Sequence, residues 1–209
     1  MSVLVEILCP QGEAKYNGLR LTADEYSQLE DDGCRYELID GVVCMTPSPV
    51  GVHTFVVGEI TAQIGAFLRK HPLGRVAVGL DVHVGEGPRG RELVYRPDVL
   101  FLRSEHVRRG MEFVSVPPDL IVEVVSVTSR RLDQVTKKAD YERFGVAEYW
   151  VLDPERDAMC FYRLEAGKYV EVQTEENIFR SVALPGLCSI SLPFEKSSNL
   201  RSEEAEPDA

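Results

Sequence analysis

Residues 120–125 read Leu-Ile-Val-Glu-Val-Val, an apolar run interrupted once, by Glu123. A short run that is apolar at nearly every position belongs to a strand covered on both faces, near the middle of a sheet. Alternation along such a strand puts Glu123 on the same face as Ile121 and Val125, inside the protein. A carboxylate is almost never buried without a partner, a metal or a shifted pKa. The chain must therefore fold so that a base or a cation meets this one side chain. A structural ion pair with Lys137 or an arginine answers that need as simply as a coordinated cation does.

At 209 residues, 44% hydrophobic and 27% charged, the chain has the size and composition of a single soluble domain. Residues 1–18 show no periodicity and read as an arm, residues 19–194 as the folded domain, and residues 195–209 as an acidic, disordered tail. Thr22 and Glu25 are spaced as a capping box, which starts a short helix running to about Glu30. Asp40-Gly41 between the β-rich runs 36–39 and 42–45 predicts a hairpin. Val56, Val57, Ile60, Ile64, Phe67 and Leu68 recur at helical spacing, so residues 52–70 form the longest helix, ended by His71-Pro72. Val76, Val78, Leu80, Val82 and Val84 alternate as one strand, and a further strand covers 99–102 after Pro97. Residues 131–144 read as a helix closed by Gly145, followed by strands at 149–152, 159–164 and 168–172 and a last apolar run at 181–192. The order predicts an α+β, α/β-like class with a mixed central sheet flanked by helices.

Five scattered cysteines without a C-x-x-C pair write neither a disulfide framework nor a zinc site. Cys34 or Cys44 beside His53 lacks the spacing that would support a thiol nucleophile. The segment 1–10 carries Glu6 and has no basic start, and no stretch is long enough to span a bilayer, so a cytoplasmic protein without membrane contact is expected. The net charge of −11 argues against a generally nucleic-acid-binding surface. Part of that acidity sits in the tail and in Glu30, Asp31 and Asp32, while Arg103, Arg108, Arg109, Arg130, Arg131, Lys137 and Lys138 form basic clusters that leave room for a neutral or basic working face.

The candidate site grows around Glu123. Asp98 opens the strand at 99–102, and the connection 103–118 has the length to return the chain antiparallel beside it, so two carboxylates converge. Paired carboxylates with carbonyls and waters suit Mg²⁺. After a proline, Asp98 alone would otherwise be an ordinary turn residue. Asp133, Lys137 and Tyr141 are spaced by four and share one helix face downstream of the Glu123 strand. A lysine beside two carboxylates can position an attacking water and stabilise charge on a phosphate, whereas an exposed acid-to-lysine pair at this spacing would do neither. Glu37 and His53 are candidate outer ligands or water-positioning bases, with a hairpin acid and a core-facing histidine as the plainer alternatives. Arg130 and Arg131 are candidate phosphate contacts, or a solvated charge pair.

Asp98 after Pro97, Pro-Asp-Leu-Ile-Val-Glu-Val-Val-Ser at 118–126, Asp133, Lys137 and Tyr141 before Gly145-Val146, and Glu-Tyr-Trp-Val-Leu-Asp-Pro at 148–154 together resemble the Uma family of restriction-endonuclease-like proteins. Tyr-Glu-Leu-Ile-Asp-Gly at 36–41 and His53 extend the resemblance across residues 21–169. That family lies in the PD-(D/E)XK nuclease superfamily. The resemblance implies a restriction-endonuclease-like mixed-sheet core, with Asp98 and Glu123 as metal ligands and DNA as substrate. The superfamily's lysine two residues after the glutamate is replaced here by Val125, so Lys137 on the following helix is the expected substitute. Lys138 points about 100° away around that helix. Val127, where the family often has proline, implies a local loop difference.

The resulting expectation is an endonuclease hydrolysing phosphodiester bonds, with Mg²⁺ or Mn²⁺ held by Asp98, Glu123 and the Val124 carbonyl, and Lys137 orienting the water. Asp133 and Tyr141 would hold Lys137, and a homodimer would pair two sites for cutting both strands. Three alternatives remain open: an inactive nuclease-fold interaction module, a hydrolase of another phosphoester, and a dimerisation protein in which Glu123 is ion-paired to Lys137.

Overall fold

The computed structural model describes residues 14–46, 51–126, 129–173 and 179–187. Thr22 caps α1 (Ala23–Ser27) with both halves of the capping box formed, a helix shorter than the expected run to Glu30. The hairpin β1 (Arg35–Ile39) and β2 (Val42–Thr46) turns on Asp40 and Gly41, both at positive φ (52° and 70°), as a tight primed turn requires. The long helix α2 spans Val52–Lys70 as predicted and buries Val56, Ile60 and Ile64.

The alternation read as one strand is two, β3 (Gly74–Val78) and β4 (Asp81–Glu86). Gly79, at φ 64°, turns the chain between them, and the two strands enter different sheets. β5 (Glu92–Tyr95) follows, then β6 (Val99–Arg103), the two-residue β7 (Phe113–Val114) and β8 (Leu120–Val124). A π-helical turn at Leu132–Lys137 leads into α3 (Lys138–Phe144), which Gly145 closes at φ 96°. The chain ends its described sheet structure with β9 (Glu148–Asp153), β10 (Ala158–Glu165) and β11 (Lys168–Glu171). In the run 181–192, residues 181–187 form no strand and the others lie outside the described residues, as do Val127, residues 1–13 of the arm and the tail.

The class is α+β, with two mixed sheets. One has the order β2-β1-β5-β4-β7, the other β11-β10-β9-β8-β6-β3. β8 is central to the larger sheet, parallel to β9 and antiparallel to β6, and α3 supplies the crossover that a parallel pair needs. Its five residues are all buried, as the apolar run demands. Val122 and Val124 pack on the α2 side with Ile60, Ile64, Trp150 and Phe161. Ile121 and Val125 face the other way, into a core shared with Ile39, Val82, Leu93 and Tyr95 of the smaller sheet. Leu38, Val43 and Val94 back that smaller sheet against Tyr26 of α1 and Tyr16, so residues 14–18 pack onto it. Among the described residues no helix is long and apolar enough to cross a membrane. Cys34 and Cys160 are free thiols.

Candidate active site between the two sheets

The β6–β8 register pairs Val99 with Val122, and one further step brings Asp98 opposite Glu123. The Val124 N–H donates to Asp98 Oδ2 at 2.9 Å, which fixes that carboxylate at the strand end. The two acids therefore converge, as expected from the length of the connection. From the smaller sheet, alternation along β1 turns Glu37 toward the same space, since Ile39 on its face belongs to the core between the sheets.

Lys137 lies at the centre. Its Nζ donates to Glu37 Oε1 at 2.8 Å and Glu123 Oε1 at 3.1 Å, and stands 3.5 Å from Asp133 Oδ1. Tyr141 OH donates to the same Glu123 oxygen at 3.1 Å. The spacing of four thus delivers all three side chains, although the backbone is a π-turn there, with the Lys138 N–H reaching the Asp133 carbonyl five residues back. Lys138 turns outward and sits over the Tyr162 ring at 3.7 Å. Val125 is buried in the apolar core beside β8 and carries no polar group to the site.

His53, on the first turn of α2, places Nε2 3.1 Å from Asp98 Oδ2. Arg35, on β1, approaches Asp98 Oδ1 at 3.4 Å and donates to the Arg96 carbonyl at 2.5 Å. The Arg96 N–H in turn donates to Glu37 Oε1, and its guanidinium is held by Asp81 through two bonds of 2.6 and 2.9 Å. Sequence reasoning missed Arg35 and Arg96. Period two along β1 was the available signal for Arg35, because it shares a face with Glu37. Arg130 makes bonds of 2.7 and 3.2 Å to Asp153 and reaches Glu155 at 3.3 Å, so its guanidinium is committed to a structural pair, while Arg131 is exposed.

Burial pushes the Glu123 carboxyl well above the usual range, Lys137 opposes this, and the nearby negative charges of Asp133, Asp98 and Glu37 add to it. Burial likewise raises Asp133 to about 6 against the pull of Lys137. For Lys137, burial works to lower the ammonium, but Glu123, Glu37 and Asp133 outweigh it and hold the amine protonated. Burial also works to raise Asp98, yet the His53 bond and charge, with Arg35 and the Val124 N–H, keep it below its ordinary value. Several carboxylates around one ammonium in a dry site cannot all be ionised without a further positive charge.

That surplus of acid, and a buried Glu37 Oε2 with no hydrogen-bond partner, fit a divalent cation. Among the described residues no group of three or more His, Cys, Asp and Glu side chains is arranged as a metal cage. The donor set is accordingly sparse in protein groups, as Mg²⁺ tolerates because it keeps waters.

A family model described as "Uma2: Putative restriction endonuclease" matches residues 23–194. No curated protein matches the chain. Among solved structures, "Crystal structure of a putative nuclease belonging to DUF820 from Anabaena variabilis" superposes with a TM-score of 0.69 at 17% identity, over 82% of this chain and 95% of the other. At that identity the likeness is one of fold, the restriction-endonuclease-like arrangement of mixed sheets and helices. The family match covers most of the chain and contains every residue of the site described above, and the chain belongs to the Uma2 family.

Proposed function

We propose that this protein is a metal-dependent endonuclease that hydrolyses DNA phosphodiester bonds in the site between its sheets. The observation that carries the reading is Lys137, a buried ammonium held within 3.5 Å of three carboxylates and next to the Asp98–Glu123 pair. Membership in the Uma2 family supports the nuclease class of reaction. Asp98, Glu123 and the Val124 carbonyl would hold Mg²⁺ or Mn²⁺, which supplies Lewis-acid polarisation of the scissile phosphate.

The chain's own groups do the rest. Lys137 stays charged, and with two of its three N–H bonds given to Glu37 and Glu123, the third donates to the attacking water in this reading. In this reading Glu37 Oε2, which is buried and unpartnered, accepts a hydrogen bond from that water. Water oxygen bonds to phosphorus as the phosphorus–oxygen bond to the leaving sugar breaks, and the water's proton balances the released oxygen through solvent. Tyr141 and Asp133 keep Lys137 and Glu123 in register. Arg131, exposed beside the site's helix, contacts flanking phosphate in this reading.

Incubating supercoiled plasmid with Mg²⁺ or Mn²⁺ and either wild type or Glu123→Gln tests it. Wild type nicks the plasmid and the variant does not; equal nicking by both removes the assignment. A second reading is favoured by the direct 3.1 Å contact of Lys137 with Glu123: an inactive fold in which the pair is purely structural. It predicts no metal-dependent nicking by either protein.

A further inference from the structure

Five buried side-chain polar atoms among the described residues lack a hydrogen-bond partner: Arg35 Nε, Glu37 Oε2, His53 Nδ1, Trp150 Nε1 and Arg163 Nε. Three of them, on Arg35, Glu37 and His53, belong to one site. Buried polar groups are nearly always paired, so a concentration of unpaired ones marks a place where a ligand completes the bonding. Exposure shows the side from which it arrives. The side chains of Glu37, Glu123, Asp133, Lys137 and Asp98 are between 1% and 8% exposed, whereas Arg35 is 24% and His53 18%. The site opens past those two residues.

We propose that Arg35 binds the phosphate of the scissile nucleotide, a role that rests on the nuclease reading above and identifies how that site takes its substrate. A guanidinium has five donors in a planar fork matched to phosphate oxygens. In Arg35 the two contacts described both use one terminal nitrogen, with the Asp98 contact long at 3.4 Å, while the Nε–H is unpaired. The bond to the Arg96 carbonyl braces the side chain from the smaller sheet, so the fork stands at the mouth without being spent there. His53 touches the same carboxylate from the first turn of α2, and that turn carries no acidic side chain to repel an anion. A phosphate entering the mouth meets Arg35 before Lys137, which places the reacting phosphorus between the two cations. This also gives the smaller sheet a role in substrate binding, because β1 carries both Arg35 and Glu37.

The test uses full-length wild type, Arg35→Gln and Arg35→Lys with a labelled DNA duplex and Mg²⁺, reading kcat and KM across a series of KCl concentrations, with thermal unfolding to confirm that each protein is folded. Arg35→Gln is expected to raise KM by about tenfold or more and to reduce the slope of log KM against log salt by about one, the signature of one lost phosphate contact. Arg35→Lys restores the salt slope but, lacking the fork, keeps a raised KM; if Arg35→Gln does not fold, this raised KM decides the matter. Folded Arg35→Gln with the KM and salt slope of wild type, or with a loss confined to kcat, overturns the role, as does Arg35→Lys with an unchanged KM. Failure of wild type to cut the duplex is a different result: it removes the nuclease reading, and the phosphate role with it.

Discussion

On the α2 side of the larger sheet, Val122 and Val124 meet Ile60, Ile64, Trp150 and Phe161, all apolar and buried. On the opposite side of the same strand, one residue away, Glu123 meets Lys137 and Tyr141 in a space equally sealed from water. The two faces have the same burial and opposite chemistry. The apolar face gains stability in proportion to the area it removes from water and tolerates swaps that conserve volume. The charged face gains little net stability from its ion pairs, because desolvation cancels most of the attraction, and it becomes costly when any member is lost. A fold that places both on one strand uses the first to hold the second in position.

The largest effect is expected from Lys137→Met, which strands Glu37, Glu123 and Asp133 together without the ammonium they share. Removing one partner of a buried pair costs about 3–5 kcal/mol, and chemical denaturation of the metal-free protein should show a loss of that size. Adding Glu123→Gln to that variant should recover part of the loss, since the acid left behind no longer carries charge. A loss below about 1 kcal/mol would mean that water already reaches the cluster.

Ile60→Ala probes the other face. The cavity should cost about 3 kcal/mol in the same assay, while the folded fraction keeps the wild-type kcat, because α2 meets the site only through His53, two turns before Ile60. A kcat that falls with folding intact would show that the two faces are not independent.

A smaller effect separates the faces by pH. Asp133, raised from 3.8 to about 6, binds a proton more tightly folded than unfolded. Its contribution to stability is therefore present at low pH and is lost as pH rises from about 4 through about 6. Without metal, the stability of wild type relative to Asp133→Asn should decline across that window, read by thermal unfolding in a chelator. A difference that stays flat would place the proton elsewhere in the cluster.

Much of this was written locally in the chain. The capping box at Thr22, the Asp40-Gly41 turn, the α2 stripe and the buried acid in β8 all follow from patterns within a few residues. The spacing of four that sent Lys137 inward and Lys138 outward was equally legible. What escaped was set by distant pairing. β3 and β4 share one alternation yet separate into two sheets at Gly79, and β5 is four residues long with its partner Leu38 far back in the chain. Arg35 reads as an ordinary strand-end cation until β1 is laid against Arg96 and Asp98. Arg130 reads as a loop charge until Asp153, across the β9 end, takes it. Two sheets rather than one central sheet follow from the same long-range register, which no short window encodes.

In the proposed nuclease, the charged face holds a divalent cation. The direct measurement is the thermal unfolding midpoint of wild type and Glu123→Gln titrated with Mn²⁺. A cation bound only by the folded protein raises the midpoint by mass action. The midpoint is expected to rise to saturation in wild type and to stay unchanged in Glu123→Gln. The same response in both proteins, or none in either, would contradict this and leave Lys137 and Glu123 as a structural ion pair.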